Sequence, residues 1–324
     1  MASDAELIAD RRRMRRKLSF WRVVGFAALI GVLIAAGWRL VGPGDLAATR
    51  TAHIARVEIS GMITTDRRKM DMLERLGESR AVRGVILSIN SPGGTVTGAE
   101  ELYHALRDLA AEKPVVAFVE GTAASGAYIA AIASDHIVAR ETAVVGSIGT
   151  MFQMPNVREL LDNIGVSMLE VRSTPLKAAP SPTGEIDEEA VAALRELVDD
   201  TYQWFRDLVA ERRSLDARAT ETVADGRVHT GRRALGLALI DAIGSEDDAV
   251  NWLAEAHEVD ADLPIETWQP RRDRSAFDLM TGAAFFAEAA GFEHLSGHLY
   301  GFARHRERIE LDGLLAIWQP KLEN

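Results

Sequence analysis

The segment Ile86–Met151 constrains the fold more than any other part of the sequence, because apolar runs alternate in it with glycine-rich turns and helical patterns. The runs Val85–Ile89 and Pro114–Val119 have strand length and end in the turns SPGG and EGTAASG. This alternation predicts an α/β fold of β-α units on a parallel sheet. Glycine turns at helix starts have unpaired N–H groups, so two neighbouring turns can hold an oxyanion. Ser125, in the second turn, has small neighbours that leave its hydroxyl accessible.

Apolar periodicity assigns the remaining elements of the folded part, which begins at His53. Alternation with a period of two predicts strands, and apolar residues at spacings of three and four predict helices. The predicted strands cover residues 54–60, 85–89, 114–119, 135–139, 143–145 and 167–171. The predicted helices cover residues 67–80, 100–111, 126–133, 157–164, 187–213, 245–257, 277–290 and 293–315, and a short one begins near residue 230.

The composition is that of a globular protein with a sizeable core, since 47% of the 324 residues are hydrophobic. The sequence has no cysteine, which excludes a cysteine nucleophile, thiolate metal ligands and disulfides. Residues 1–41 contain eight Lys/Arg and three Asp/Glu, so the rest of the chain has 29 basic and 45 acidic residues, a net charge of −16. Such an acidic domain offers no basic face for phosphates, and no nucleic-acid partner is expected.

The basic residues of the N-terminus precede an apolar run. Six of them lie between Arg11 and Lys17, and the uncharged run Val23–Trp38 follows, with flanking arginines that can extend it to a membrane-spanning length. We therefore predict a cytoplasmic N-terminus over residues 1–21 and a single transmembrane helix over residues 22–41, with the rest of the chain outside the cytoplasm. A cleaved signal peptide is the alternative, since the small residues at 35–37 suit a cleavage site.

A serine hydroxyl becomes a nucleophile only if a base accepts its proton, and the sequence lacks the G-x-S-x-G pattern of the α/β-hydrolases. A neutral lysine can be that base. Lowering a lysine pKa from about 10.4 to about 7.5 requires roughly 4 kcal/mol, which burial away from carboxylates can supply. Lys177 is the candidate, because it lies in a proline-rich loop and the segment Val171–Gly184 contains no acid. The pattern alone leaves open that Ser125 is a helix cap and Lys177 a solvated loop residue.

Four motifs in a fixed order carry a resemblance to a known family. They are SPGG at Ser91–Gly94, ASGAYIA at Ala124–Ala130, SDHIVA at Ser134–Ala139 and GSIGT at Gly146–Thr150. Over about His53–His257 the chain resembles the signal peptide peptidase A family of membrane-anchored serine proteases. That family belongs to the ClpP/crotonase superfamily, so the resemblance implies an α/β fold of stacked β-β-α units, preceded here by the single transmembrane helix.

The resemblance implies hydrolysis of peptide bonds by a serine/lysine dyad, with Ser125 as the nucleophile and Lys177 as the general base. It also implies an oxyanion hole and no metal or other cofactor. The further site residues that it implies are Gly94 and Gly126 as oxyanion donors through their N–H groups, Gly93 as the residue that shapes its turn, and Ser147 as the residue that orients the lysine amine.

The resemblance, together with the basic N-terminus, the GPGD sequence at Gly42–Asp45 and a change in composition beyond Pro264, predicts a domain organisation, partners and a location. A linker over residues 42–52 would join the transmembrane helix to a ClpP/crotonase-like protease domain over residues 53–263, followed by a C-terminal helical extension over residues 264–324. The expected substrates are peptides such as remnant signal peptides, and a homo-oligomer is expected. The expected location is the bacterial cytoplasmic (inner) membrane, crossed once, with the catalytic domain on the extracytoplasmic side.

Two other functions fit the same fold. An acyl-CoA-processing enzyme of the crotonase type would hold a thioester enolate in the same oxyanion hole, although an acidic domain does not favour the phosphates of coenzyme A. A catalytically inactive membrane scaffold would keep the fold without the chemistry. Other constellations favour structural roles: His294 and His298 lack a third metal ligand, Asp135 and His136 begin a predicted strand, and Glu120 is a turn residue.

Overall fold

Strands and helices alternate along the first half of the folded part, as the sequence predicts. The computed structural model describes residues 51–270 and 314–317, so the predicted transmembrane helix over residues 22–41 lies outside the described residues. Ten strands form one mixed sheet: β1 His53–Ile63, β2 Val82–Thr95, β3 Val115–Ala124, β4 His136–Ala139, β5 Val144–Gly146, β6 Met151–Phe152, β7 Val228–Thr230, β8 Ala242–Ile243, β9 Ile265–Trp268 and β10 Leu314–Ile317.

Eight helices lie within the described ranges: α1 Arg67–Glu78, α2 Val96–Glu112, α3 Gly126–Ile132, α4 Arg158–Asn163, α5 Glu188–Arg212, α6 Ala217–Val223, α7 Gly231–Gly236 and α8 Glu246–His257. None of the helices within residues 51–270 is long and apolar enough to cross a bilayer. The mixed sheet with its helices confirms the predicted α/β class.

The sheet divides into two branches at the end of β3. Strands β1 to β4 are parallel neighbours, and β9 and β8 extend this branch, parallel to β1 and β4. Residues 116–119 of β3 pair with β4, whereas residues 122–124 pair with β5. Antiparallel strands complete the sheet, because β7 pairs with β5 and β10 lies between β2 and β6. The carboxyl end of β3 therefore lies beside β5.

Both faces of the parallel strands are buried, and they belong to two apolar clusters. In β2, the side chains of Val85 and Leu87 pack in one cluster with Leu102 of α2, whereas Ile86 between them packs with Leu253 of α8. The alternation follows from the period of two along a strand. Apolar residues at every position of such a strand are typical of parallel sheets covered on both faces. The uninterrupted apolar run at 85–89 therefore correctly predicts a strand that is covered on both faces of the sheet.

The SPGG sequence is the end of a strand and not a free turn. Gly93 and Gly94 belong to β2 and pair with Met62 and Ile63 of β1. Helix α2 follows at once, because the side chain of Thr95 accepts a hydrogen bond of 3.1 Å from the N–H of Gly98. This cap starts the helix at residue 96, four residues earlier than predicted, since apolar periodicity does not detect a capping threonine.

Several predicted elements differ from the structure. The strand predicted for residues 167–171 is wrong, because this segment has no strand to pair with, and Leu169 and Val171 are 89% and 90% exposed. Helix α6 and strand β7 were not predicted. The helix predicted for residues 293–315 is wrong at its end, where Leu314 and Leu315 belong to β10. Strand β9, just beyond the predicted boundary at residue 263, pairs with β1.

Candidate active site

Three glycine-containing segments lie at the ends of neighbouring strands, on the edge of the sheet where ligands of parallel α/β folds bind. The SPGG segment ends β2, the ASG segment connects β3 to α3, and the GSIG segment begins with the last residue of β5. We define them as Ser91–Gly94, Ala124–Gly126 and Gly146–Gly149.

The register of the strands brings these segments together. Ser91 pairs with Ala123, so Gly93 and Ser125 each lie two residues further along neighbouring strands. On the other side of β3, the N–H of Ser125 donates a hydrogen bond of 2.8 Å to the carbonyl of Gly146. Ser125 therefore lies between the SPGG and GSIG segments.

Ser125 has a strained backbone conformation at a sharp strand-to-helix connection. Its φ of 56° and ψ of −120° lie in a region that non-glycine residues rarely adopt. It is the only residue between β3 and α3, which begins at Gly126. A serine on such a sharp connection is the device by which α/β-hydrolases present a nucleophile. The structure thus has the sharp strand-to-helix turn of a nucleophilic serine, although the sequence lacks the G-x-S-x-G pattern that usually predicts it.

The surroundings of Ser125 suit the stabilisation of an oxyanion. Ser125 is only 1% exposed, so the accessible hydroxyl that its small neighbours predict is not found in this chain. Its Oγ lies 3.5 Å from the carbonyl oxygen of Gly149. Gly126 is the first residue of α3, a position where the N–H has no partner within the helix. In the α/β-hydrolase arrangement, the N–H that follows the nucleophile is one of the two oxyanion donors. Gly126 occupies that place here.

The SPGG segment is held by a buried serine. Ser91 Oγ donates a hydrogen bond of 2.6 Å to the Gly61 carbonyl and accepts one of 3.1 Å from the Gly93 N–H. Gly93 has a φ of 104°, which favours glycine. At Gly94 a Cβ would lie 1.7 Å from the carbonyl oxygen of Ile63, so only glycine fits. Both glycines are therefore required by the backbone itself.

The GSIG segment has two consecutive residues with positive φ, Gly146 at 113° and Ser147 at 54°. The N–H of Ser147 donates a hydrogen bond of 2.8 Å to the Arg227 carbonyl, just before β7. This bond fixes the backbone of Ser147. The residue before it, Gly146, has the carbonyl that accepts the hydrogen bond from the Ser125 N–H. Ser147 is half-buried and lies at the position that the resemblance implies for a residue orienting a base.

Lys177 forms no hydrogen bond with Ser125 in the described part of the chain. It lies in the loop between α4 and α5, its side chain is exposed, and among the described residues its ammonium forms no hydrogen bond or ion pair. Glu170, an acid of the same loop, is bound by other residues: hydrogen bonds from Ser181, Arg172 and Thr183 lower its pKa to about 2. The structure thus groups the other five predicted site residues and leaves Lys177 apart.

Comparison with known proteins agrees with this arrangement. The sequence profile of Peptidase family S49 matches residues 107–260, and that of Clp protease matches residues 56–145. A candidate protease of Methanocaldococcus jannaschii is 31% identical over 242 residues, which are 75% of this chain and 76% of the relative. The chain belongs to peptidase family S49. It is therefore a serine peptidase by family, in agreement with the resemblance carried by the four motifs.

Two other relatives of this S49 chain come from bacteria. A candidate protease of Synechocystis is 36% identical over 64% of this chain and 76% of the relative. A candidate signal peptide peptidase of Enterococcus faecium is 34% identical over 57% of this chain and 54% of the relative.

The Asp135–His136 pair has a structural role in the S49 domain. The Asp135 carboxylate accepts a hydrogen bond of 3.0 Å from the Val115 N–H, at the amino end of β3. The His136 ring stacks on Trp252 with centroids 4.8 Å apart. Ser125 follows the opposite, carboxyl end of β3. A triad of these residues with Ser125 is therefore not formed.

Two residues near the site were not identified from the sequence. Ser91 lies two residues before Gly93, and a serine that hydrogen-bonds the N–H two residues later is a recurrent turn motif that could have been recognised. His229, in β7, is 4% exposed, pairs with Val145 of β5, and its Nε2 is buried with no hydrogen-bond partner among the described residues. No sequence signal distinguishes this histidine, because its burial depends on the pairing of strands far apart in the chain.

The free energy of unfolding is expected to fall as the pH is lowered from 7.5 to 5.5. Burial lowers the pKa of His229, and burial is also the main cause that lowers the pKa of His136. Below the unfolded pKa of about 6.5, the unfolded chain binds protons that the folded chain does not. The stability that comes from keeping His229 and His136 neutral is thus present above pH 6.5 and is lost as the pH falls below it.

Thermal unfolding across this pH range checks the expectation. The melting temperature of His229→Gln should depend less steeply on pH than that of the unaltered protein, with His136 supplying the remainder. His104 is exposed, so His104→Gln is the matched control and should leave the slope unchanged. Equal slopes for all three proteins would show that His229 is not buried in its neutral form.

Proposed function

We propose that this S49 peptidase is a membrane-anchored endopeptidase that cleaves extended apolar peptides, remnant signal peptides among them, with Ser125 as its nucleophile. The observation that carries the proposal is the strained conformation of Ser125 between the SPGG and GSIG segments. Backbone strain of this kind is retained where function requires it. The name of the Enterococcus relative supports the substrate class.

In the proposed reaction, Ser125 Oγ attacks the peptide carbonyl and its proton passes to the neutral amine of Lys177. The N–H groups of Gly94 and Gly126 stabilise the oxyanion of the tetrahedral intermediate. The lysine then protonates the leaving amine, which gives an acyl-enzyme on Ser125. Water, activated by the same lysine, attacks the ester and releases the carboxylate product. Ser147 orients the amine during both steps.

The surface around the Lys177 loop supports a homo-oligomer as the active form. Large apolar side chains are exposed on α4 and on the loop that follows it. They are Leu160 at 60%, Ile164 at 65%, Met168 at 56%, Leu169 at 89%, Val171 at 90% and Ile186 at 68% exposed. Apolar patches of this kind mark protein interfaces. We infer that a second copy covers this surface, and that the assembly desolvates Lys177 and delivers it to a Ser125 site.

Lys177→Met is expected to lower the rate of peptide hydrolysis by about 10³-fold, since a positioned general base contributes on this order. The variant should still assemble, because the apolar surface is unchanged. Lys113 caps the end of α2 and precedes the amino end of β3, opposite to the carboxyl end that carries Ser125, so Lys113→Met is the matched control and should keep its activity. Hydrolysis of an apolar fluorogenic peptide measures both. Full activity of Lys177→Met would exclude it as the base and leave the serine mechanism standing.

The proposed function includes a location for the protein in the cytoplasmic membrane. The apolar run within residues 22–41 and the basic residues before it support a single span of the cytoplasmic membrane, with the peptidase domain on the extracytoplasmic side. A reporter enzyme that is active only outside the cytoplasm, fused after Val41, should be active. A reporter active only in the cytoplasm, fused at the same place, is the control and should be silent. The reverse result would contradict the topology.

A further inference from the structure

Hydrogen bonds within the loop between α4 and α5 join the two ends of the part that carries Lys177. Glu170 precedes that part, and its carboxylate accepts hydrogen bonds from the hydroxyl groups of Ser181 and Thr183. The bond from Thr183 is 2.9 Å long, and Ser181 is only 5% exposed. The two hydroxyl groups follow Glu170 by 11 and 13 residues. One carboxylate therefore closes the loop around Lys177.

Arg172 adds a second link to the same carboxylate. Its guanidinium pairs with Glu170 and donates a hydrogen bond of 3.3 Å to the carbonyl oxygen of Pro175, two residues before Lys177. The N–H of Lys177 in turn donates a hydrogen bond of 3.1 Å to the carbonyl oxygen of Thr174. The backbone at the lysine is thus connected to Glu170 from both directions along the chain.

The far end of this loop is fixed to the segment before α4. The N–H of Val157 donates a hydrogen bond of 2.8 Å to the carbonyl oxygen of Pro182. The side-chain amide of Asn156 donates one of 3.0 Å to the carbonyl oxygen of Gly184. The Glu170 carboxylate therefore ties the lysine-bearing part of the loop to backbone that other hydrogen bonds already hold.

The strand-like alternation of residues 167–171 has a physical reason, although no strand forms there. Glu170 and Arg172 bind each other and the rest of the loop. Leu169 and Val171, which alternate with them, are 89% and 90% exposed. The polar side chains therefore hold the loop, and the apolar ones belong to the surface that we assign to a second copy of the chain.

The charges of this pair also bear on the lysine. A lysine that acts as a general base must lose its proton, and a free carboxylate beside it would favour its charged form. Glu170 is the only acid between Asp162 and Glu185. The hydrogen bonds that it accepts lower its pKa to about 2, so it is ionised at neutral pH. Its negative charge is compensated by Arg172 and does not attract the Lys177 ammonium.

We propose that Glu170 and Arg172 form a clamp with two roles: it holds the loop in the shape that presents Lys177, and it keeps the carboxylate from pairing with the lysine amine. Both are positioning residues, because they act through Lys177 and not on the substrate. The inference rests on the proposed function and deepens it, since it defines what prepares the general base.

Glu170→Gln in the full chain tests the first role of the clamp. Glutamine keeps one oxygen for Ser181, but its NH₂ group cannot accept a hydrogen bond from Arg172. With an apolar fluorogenic peptide, kcat should fall by about 10²-fold and KM should change little, since a small misplacement of a catalytic group costs on this order. Glu185 lies at the end of the same loop and pairs with Arg158 at 2.7 Å. Glu185→Gln is therefore the matched control and should keep its rate.

Arg172→Gln tests the second role. It leaves the Glu170 carboxylate uncompensated and free to pair with the lysine amine. The pKa of the base in the pH profile of kcat/KM should therefore rise by about one unit. The double variant Glu170→Gln/Arg172→Gln lacks the carboxylate, so its profile should return to that of the unaltered protein while its rate stays low. Loss of loop structure alone would lower the rate without moving the profile.

Unchanged kcat in Glu170→Gln, or an unmoved profile in Arg172→Gln, would overturn the proposal and leave the serine mechanism standing. If the unaltered chain hydrolyses no peptide, the proposed function fails, and hydrogen exchange still decides on the clamp. The amides of Lys177 and Thr183 donate hydrogen bonds within the loop and should exchange faster in Glu170→Gln but not in Glu185→Gln. Unchanged exchange in Glu170→Gln would overturn the inference independently of activity.

Discussion

Ser125→Ala is expected to lower the rate of peptide hydrolysis by about 10⁶-fold, the size of effect seen when a serine nucleophile is removed. The oxyanion donors remain, so a small residual rate above the uncatalysed reaction is expected. Fluorophosphonate labelling should disappear as well. The measurement is the single-turnover rate with an apolar fluorogenic peptide, at matched protein concentration.

Ser125→Gly is the matched partner of this variant, because the backbone of residue 125 is strained. Glycine adopts a φ of 56° and a ψ of −120° freely, whereas alanine is as strained there as serine. Ser125→Gly should therefore be more stable than Ser125→Ala by about 1 kcal/mol, although both are inactive. Thermal and denaturant unfolding measure the difference. Activity retained in both variants would remove Ser125 from the mechanism, and equal stability would mean that the strain is absent.

Gly94→Ala is expected to have the largest effect on stability. The added Cβ would lie 1.7 Å from the Ile63 carbonyl oxygen and 2.5 Å from the Ile63 backbone nitrogen, and both atoms belong to the paired strand β1. The backbone of the SPGG segment must move, and the free energy of unfolding should fall by about 3 kcal/mol or more. Hydrolysis should fall with it, because Gly94 also supplies a proposed oxyanion donor.

Gly77→Ala is the control for this prediction. Gly77 lies in α1, and its nearest neighbour, Leu109 Cδ1, is at an ordinary contact distance of 3.7 Å. Alanine in a helix is favoured over glycine, so this variant should be more stable by about 0.5–1 kcal/mol and fully active. Urea unfolding of the two variants gives the comparison. A Gly94→Ala protein as stable as the unaltered one would contradict the close approach of β1 and β2.

The elements that the sequence predicts well are those set by local patterns. The helices α1, α5 and α8 match their predictions within two residues, because an apolar stripe leaves a clear period. The apolar runs 85–89 and 114–119 locate β2 and β3, but these strands continue six and five residues further. The grouping of Gly93, Gly94, Ser125, Gly126 and Ser147 also follows from local order, since parallel strands carry their following turns to one edge.

Features that depend on pairing between distant segments were missed. Strands β7 and β10 are short, and only their partners β5, β2 and β6 define them. Conversely, residues 167–171 alternate like a strand but find no partner. The backbone conformation of Ser125 likewise depends on the hydrogen bond to Gly146 and not on a local motif. The exposed position of Lys177 likewise depends on the course of the loop between α4 and α5, which has no periodic pattern in the sequence.

The central claim, that Ser125 is the nucleophile of this S49 peptidase, is tested most directly by mapping a fluorophosphonate adduct. The reagent is added to the full chain and, as the control, to Ser125→Ala. Mass spectrometry of the digested proteins should find one adduct per chain, on the peptide that contains Ser125, and none in Ser125→Ala. An adduct on another residue, or hydrolysis without any adduct, would contradict the account.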